Sequence, residues 1–295
     1  MAARKPNFFI VGAPKCGTTS LAAWLDSHPE ACVSRPKEPH FFSPTLKATF
    51  TTLRDYESCF AHAQPHHKAI GEASTHTFYF ADAIQKILDY QKQAKFIICL
   101  RNPVEMAVSL HNEFVFQGEQ VIPGFLSAWS SRKEIFPRFL DRSYESKESY
   151  RYLCAIGTHF TVLKKIVPED KLLVLLLDDL IANEAQELSK VTEFLEISPS
   201  SMSYLQKNVA KRVRSKRAKQ LYGWLSMSKR KLGIRRSLGV GGWILRANTM
   251  QGVGAATLTP AIRTILAEHF APEIRMLESL LDRDLCHWLA PAPSG

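Results

Sequence analysis

The chain has 295 residues, 45% of them hydrophobic and 22% charged, and 38 Lys and Arg against 28 Asp and Glu give it a formal net charge of +10. Such length and apolar content suit a soluble globular protein with a sizeable core, as one large α/β domain or two small ones. No run of 18 or more apolar residues and no signal-peptide pattern is visible, which argues against secretion and membrane spanning and predicts a cytoplasmic protein.

In chain order, residues 8–11 (FFIV) read as a buried strand and residues 21–25 (LAAWL) as a helix. Between them lies Gly12-Ala13-Pro14-Lys15-Cys16-Gly17-Thr18-Thr19-Ser20. A strand, a glycine turn and a helix N-terminus form an anion site, where backbone N–H groups and the positive end of the helix dipole converge. In a nucleoside triphosphatase loop the lysine follows the second glycine and the next Ser or Thr holds magnesium. Here Thr18 takes the lysine's slot and Lys15 lies two residues before the glycine. Cys16 sits beside that lysine at a helix N-terminus, a setting in which a thiol pKa can fall, although a small residue filling a tight loop is the plainer reading. The six cysteines show no CxxC pair and no metal-like spacing, so they read as reduced thiols.

Pro36-Lys37-Glu38-Pro39-His40-Phe41-Phe42 sets a carboxylate and an imidazole two residues apart in a proline-stiffened segment, a placement that suits a proton acceptor and its neighbour. Strand-like runs recur at 68–71, 95–100 and 171–177, with helical patterns over 81–91, 103–116, 150–167, 184–195 and 260–281. This alternation predicts a central parallel sheet flanked by helices, with ligands at the carboxyl ends of the strands. Arg101 follows the strand at 95–100, where a guanidinium can grip a phosphate through two hydrogen bonds. Asn102 is the expected N-cap of the next helix, with Pro103 at its first position, and Ser109 adds a hydroxyl two turns on.

The positive charge is local. Residues 197–267 contain no Asp or Glu and 14 of the 38 Lys and Arg, whereas the remainder has 24 basic and 28 acidic residues. Within that stretch 205–248 reads as a basic helical insertion or lid on a single domain spanning 1–295. Its basic part, 207–246, is either a docking surface for an anionic glycan, lipid headgroup or membrane, or a solvated charged face. No nucleic-acid motif accompanies the charge.

Taken in order, GAPKCGTTS, KEPHFF, GEAS at 71–74, LRNPVEMAVS and the closing LESLLDRDLCHW resemble the sulfotransferases that use 3′-phosphoadenosine 5′-phosphosulfate, in the bacterial branch related to heparan sulfate sulfotransferase domains. The resemblance implies the P-loop-containing sulfotransferase fold. It implies that Lys15 and the amides of Cys16, Gly17, Thr18, Thr19 and Ser20 bind the 5′-phosphosulfate and that Arg101 and Ser109 bind the 3′-phosphate. It also implies that Glu38 is the catalytic base with His40 beside it, and that no metal takes part. Two departures stand out: Ala73 occupies the place where the glycan enzymes carry a lysine, and the Lys-Gly-Arg loop near the C-terminus is missing, with Arg246 and Asn248 the nearest substitutes. The competing reading is a P-loop small-molecule kinase in which Asp178 would hold magnesium. Acceptor identity and oligomeric state are open at this level.

Overall fold

The computed structural model describes residues 5–43, 50–117, 120, 122–131, 149–199, 211–213, 249–251 and 256–291. Strand β1 (Phe8–Gly12) leads through a loop into helix α1 (Thr18–Ser27), followed by β2 (Ala31–Val33), α2 (Leu53–Glu57) and β3 (Ala69–Glu72). Helix α3 (Ala81–Tyr90), β4 (Lys95–Leu100), α4 (Pro103–Gln117), α5 (Phe125–Ser130), α6 (Ser149–Leu153) and α7 (Ile156–Ile166) come next. Then come β5 (Leu172–Leu176), α8 (Leu177–Ala182), α9 (Glu184–Leu195), β6 (Lys211–Val213), β7 (Thr249–Gln251) and α10 (Pro260–Leu281).

Five strands form one parallel sheet in the order β2-β3-β1-β4-β5, with helices around it, as the alternating pattern predicts. Both central strands read as unbroken apolar runs because a parallel sheet covered on two faces has no solvent side. Every residue of β1 is buried, and so are Phe96 to Leu100 of β4. Helix α10 packs on α7 and α4.

Two expectations change. The helix expected over 150–167 is two helices, α6 and α7, with Ala155 between them at ψ 59°. The His159 ring bonds the Tyr152 carbonyl at 2.8 Å, and Ile156 N–H turns back to the Cys154 carbonyl, so the helical ladder is interrupted there. In the basic segment, 211–213 is not helical but a strand, β6, paired antiparallel with β7 and lying beside α4. The rest of the expected insertion at 205–248, including Arg246 and Asn248, lies outside the described residues.

The sheet's packing leaves no room at Gly71. A Cβ there would lie 2.2 Å from the Phe8 carbonyl oxygen and 2.6 Å from the Phe8 ring, against strand backbone that cannot move alone. Gly71→Ala is therefore expected to destabilise the chain by about 1–3 kcal/mol, the cost of overpacking, read as a lower urea midpoint. An unchanged midpoint would show that β1 and β3 can separate at that point.

Candidate active site

The site is built on one rim of the sheet. The pairing of β1 with β4 skips between Ile10 and Gly12, and Ala13 N–H then donates to the Cys99 carbonyl at 2.7 Å as the chain leaves the sheet. Lys15 (φ 67°) and Gly17 (φ 88°) both take the left-handed conformation, and Gly17 caps α1. That turn places the first-turn amides of α1 at the rim, the arrangement that binds an anion. Thr19 is exposed there, while Thr18 and Ser20 are buried. The Lys15 ammonium pairs with Glu113 of α4 at 3.3 Å.

Cys16 does not fit the reactive-thiol reading. It is fully buried, with its Sγ 3.4 Å from the Pro14 carbonyl oxygen. Burial pushes its pKa up to about 12, outweighing the nearby charges of Arg101 and Lys15. The helix N-terminus faces the rim, whereas the thiol faces the core.

Arg101 leaves β4 on the same rim. Its Nε and Nη2 donate to Glu105 Oε2 at 3.1 and 2.7 Å, and its Nη1 lies 3.4 Å from the Lys15 carbonyl oxygen. Arg263 of α10 reaches the other Glu105 oxygen at 3.7 Å. Asn102 acts as the expected N-cap, its side-chain oxygen accepting from Val104 N–H at 2.9 Å, while its amide nitrogen donates to the Trp288 carbonyl. Ser109 is half-buried two turns along α4. The structure thus joins Lys15 and Arg101 through one contact and brings two acidic partners, Glu105 and Glu113, that the sequence reading did not single out.

The segment carrying Glu38 is stitched to the end of β3. Ser34 N–H donates to the Gly71 carbonyl at 2.9 Å, and the Lys37 carbonyl accepts from Ala73 N–H at 3.2 Å and Ser34 Oγ at 3.0 Å. Glu38 accepts from the Lys37 ammonium at 2.6 Å and meets His40 Nε2 at 3.1 Å. Burial raises the Glu38 pKa, but the hydrogen bond from His40 and the charges of Lys37 and His76 outweigh it and hold the carboxyl well below the usual range. His40 is buried, with φ 52°, and its N–H donates to Ser74 Oγ at 3.0 Å.

Behind this pair lies Glu72, buried at the end of β3. It accepts from Tyr56 OH at 2.9 Å and Ser74 Oγ at 2.5 Å, and burial raises its pKa to about 7 against those two bonds. The sequence signal for it was the GEAS stretch, in which a carboxylate ends an apolar strand, but nothing local told what it touches. Glu38, His40 and His76 each offer one potential metal-ligand atom, all within 4.8 Å of one another. As the side chains stand, the Lys37 ammonium and the His40 ring each contact a Glu38 oxygen. Asp178, the magnesium ligand of the kinase reading, accepts from Trp288 Nε1 at 2.6 Å and faces His287 at 3.4 Å, which ties it to the C-terminal turn. Among the described residues no helix is long and apolar enough to cross a membrane.

The profile of the Sulfotransferase domain family matches residues 5–274. Carbohydrate sulfotransferase 15 of Mus musculus is 26% identical over 256 residues, covering 66% of this chain and 44% of that protein. Its Homo sapiens counterpart is 25% identical over 258 residues with the same coverage. The match thus takes in less than half the length of these relatives. The crystal structure of a sulfotransferase from Alicyclobacillus acidocaldarius superposes with a TM-score of 0.70 at 23% identity, covering 97% of this chain and 100% of that one, which is a likeness of fold.

The placement of the thiols carries its own test. Among the cysteines only Cys286 is exposed. Native protein treated with iodoacetamide at pH 8 is expected to be alkylated first at Cys286 and to leave Cys16 intact on peptide mass mapping. Early labelling of Cys16 would restore a reactive thiol to the loop.

Proposed function

This chain belongs to the sulfotransferase domain family, and from that premise we propose that it moves a sulfuryl group from 3′-phosphoadenosine 5′-phosphosulfate to a hydroxyl or amine of a carbohydrate, lipid or secondary metabolite. The observation that carries this reading is the contact between Arg101 Nη1 and the Lys15 backbone carbonyl, which puts the guanidinium against the loop that carries Lys15, on one rim. A nucleotide with phosphates at both its 3′ and 5′ positions suits such a pair.

In this reading Lys15 and the amides from Cys16 to Ser20 hold the 5′-phosphosulfate, those of Cys16 and Ser20 sharing bonds they already make to the Ala13 and Gly17 carbonyls, and Arg101 with Ser109 holds the 3′-phosphate. Both cations already have carboxylate partners, Glu113 and Glu105. Part-exposed ion pairs of this kind contribute about 0–1 kcal/mol, so a multiply charged ligand can displace them. Sulfuryl transfer resembles loose phosphoryl transfer, with charge growing on the oxygen that bridges to the departing nucleotide. Lys15 and the loop amides stabilise that charge as it develops. The transferred sulfate is a monoanion and asks for less neutralisation than a triphosphate, in keeping with Thr18 standing where a magnesium-binding loop has its lysine.

Glu38 takes the proton that the acceptor loses as it attacks in line. Held ionised by Lys37 and His40, it is ready to receive a proton but weakly basic. Arrival of an anionic donor adds negative charge nearby, which raises the carboxylate's proton affinity when the base is needed. A carbohydrate hydroxyl is the first acceptor to test, given the names of the curated relatives. The basic stretch 207–246 suits an anionic acceptor or surface, since clustered cations raise the local concentration of anions.

Thermal shift tests the donor. Adenosine 3′,5′-bisphosphate without magnesium is expected to raise the melting temperature, and a preference for magnesium ATP would support the kinase reading instead. Arg101→Ala should weaken bisphosphate binding about 10–100-fold, the loss of a charged hydrogen-bonding group. Incubation with labelled donor and a panel of glycosaminoglycans, lipids and phenols identifies the acceptor. With that acceptor, Lys15→Ala and Glu38→Gln should each lower turnover by about two to four orders of magnitude. Near-normal turnover in either folded variant removes that residue from its role.

A further inference from the structure

We propose that Glu72, acting through Ser74, positions the backbone of His40 and thereby the carboxylate of Glu38, which makes Glu72 a positioning residue for the candidate base. The inference rests on the reading of Glu38 given above and adds the element that holds it in place.

Glu72 is 2% exposed, and the side-chain groups that hydrogen-bond its carboxylate are two hydroxyls. An ionised carboxyl without a cation in contact is expensive to bury, and an apolar side chain of similar shape would serve a core better. The geometry gives it a task. Ser74 has one hydroxyl proton and spends it on Glu72 Oε2, which leaves its oxygen lone pairs as acceptors. His40 N–H donates to that oxygen. The bond fixes a residue held in the left-handed region, a strained conformation for histidine, whose ring meets Glu38 through Nε2.

The start of the segment is pinned without the Glu72 side chain. Ser34 bonds the Gly71 and Lys37 carbonyls, and Ala73 N–H also donates to the Lys37 carbonyl. Phe41 stacks on Tyr56 with ring centroids 4.8 Å apart and Phe42 meets it edge-on at 5.1 Å. Loss of the Glu72 charge therefore acts on His40 through Ser74 and on Phe41 and Phe42 through Tyr56, and Ser74→Ala isolates the first route.

Protonation of Glu72 would reverse the chain of donors. A carboxylic acid must donate its new proton, and the nearest acceptors are the Ser74 and Tyr56 oxygens that now donate to it. Titratable groups facing Glu72 are Tyr56 on α2, Cys59 in the turn after it, Tyr90 on α3, and Glu38 and His40 across the loop. Because burial raises its pKa to about 7, the ionised form that orders Ser74 prevails above that pH and fades below it.

The test uses full-length wild type, Glu72→Gln, Ser74→Ala and Ser74→Thr, with three measurements on each. These are the affinity for adenosine 3′,5′-bisphosphate, hydrolysis of labelled donor with water as acceptor, and the ring ¹⁵N signals of His40 from pH 5.5 to 8.5, assigned with His40→Gln. In Glu72→Gln and Ser74→Ala the bisphosphate affinity is expected to stay within about twofold. Donor hydrolysis should fall about 10–100-fold, the range for a misplaced catalytic group. The His40 signals should shift from their wild-type positions at pH 8.5, and Ser74→Thr, which keeps the hydroxyl, should restore both. His40 signals that follow the wild-type course in both Glu72→Gln and Ser74→Ala overturn the proposal. If Glu72→Gln does not fold, the Ser74 pair decides by the same criteria. A chain that fails to bind bisphosphate yet keeps the His40 response overturns the donor assignment and supports the positioning role.

Discussion

Strand β1 pairs in parallel with β3 on one side and β4 on the other, and all three strands release their chains at the same rim. From β1 comes the loop with Lys15, from β4 comes Arg101, and the end of β3 anchors the segment that holds Glu38. Antiparallel pairing would send one of these to the opposite edge of the sheet, some 17–20 Å away for a strand of average length. The convergence brings three cations, Lys15, Arg101 and Lys37, onto one rim, where like charges repel. Each cation has a carboxylate in contact: Glu113 for Lys15, Glu105 for Arg101 and Glu38 for Lys37. The rim is neutralised from within by pairs that a polyanion can exchange.

All three pairs are part-exposed, with Lys37 26% accessible in its pair with Glu38. Glu113 and Glu105 face part-exposed side chains, with Lys15 28% and Arg101 25% accessible, so solvent screening keeps their bonds weak. Glu38 also meets the buried ring of His40, on the less screened side of the loop. The candidate base thus differs from the other two carboxylates in its second contact, with a buried ring. This asymmetry suits a site in which the ligand changes and the base must not.

What the sequence disclosed followed the range of the interactions involved. The loop between β1 and α1 was legible because its glycines and apolar flanks lie within twenty residues. Arg101 and the Asn102 cap were legible for the same reason, as were β4, α9 and α10. Strand β2 was missed, since three residues carry too little periodicity, and the break between α6 and α7 was missed because it depends on the His159 ring reaching the Tyr152 carbonyl. Cys16 was open to misreading because sequence places it beside a lysine but cannot say which way the sulfur points. Glu72, Tyr56 and Ser74 had no assigned role because their meaning lies in contacts between β3, α2 and the 34–43 segment.

Backbone strain separates the same residues in another way. Among the described residues four non-glycine positions have positive φ: Lys15, His40, Glu196 and Asp282. Glu196 and Asp282 cap the C-termini of α9 and α10, where the left-handed conformation is routine. Lys15 and His40 end no helix. Each lies in a loop that leaves the sheet at the rim, where a left-handed residue costs of order 1–3 kcal/mol that the surroundings must over-determine. For Lys15 the surroundings are the pairing of Ala13 with Cys99 and the cap at Gly17; for His40 they are Ser74 and Glu38. The two strained positions coincide with the proposed clamp on the leaving nucleotide and the proposed partner of the base. Glycine would relieve the strain at either place, but it would remove the side chain that the strained backbone presents.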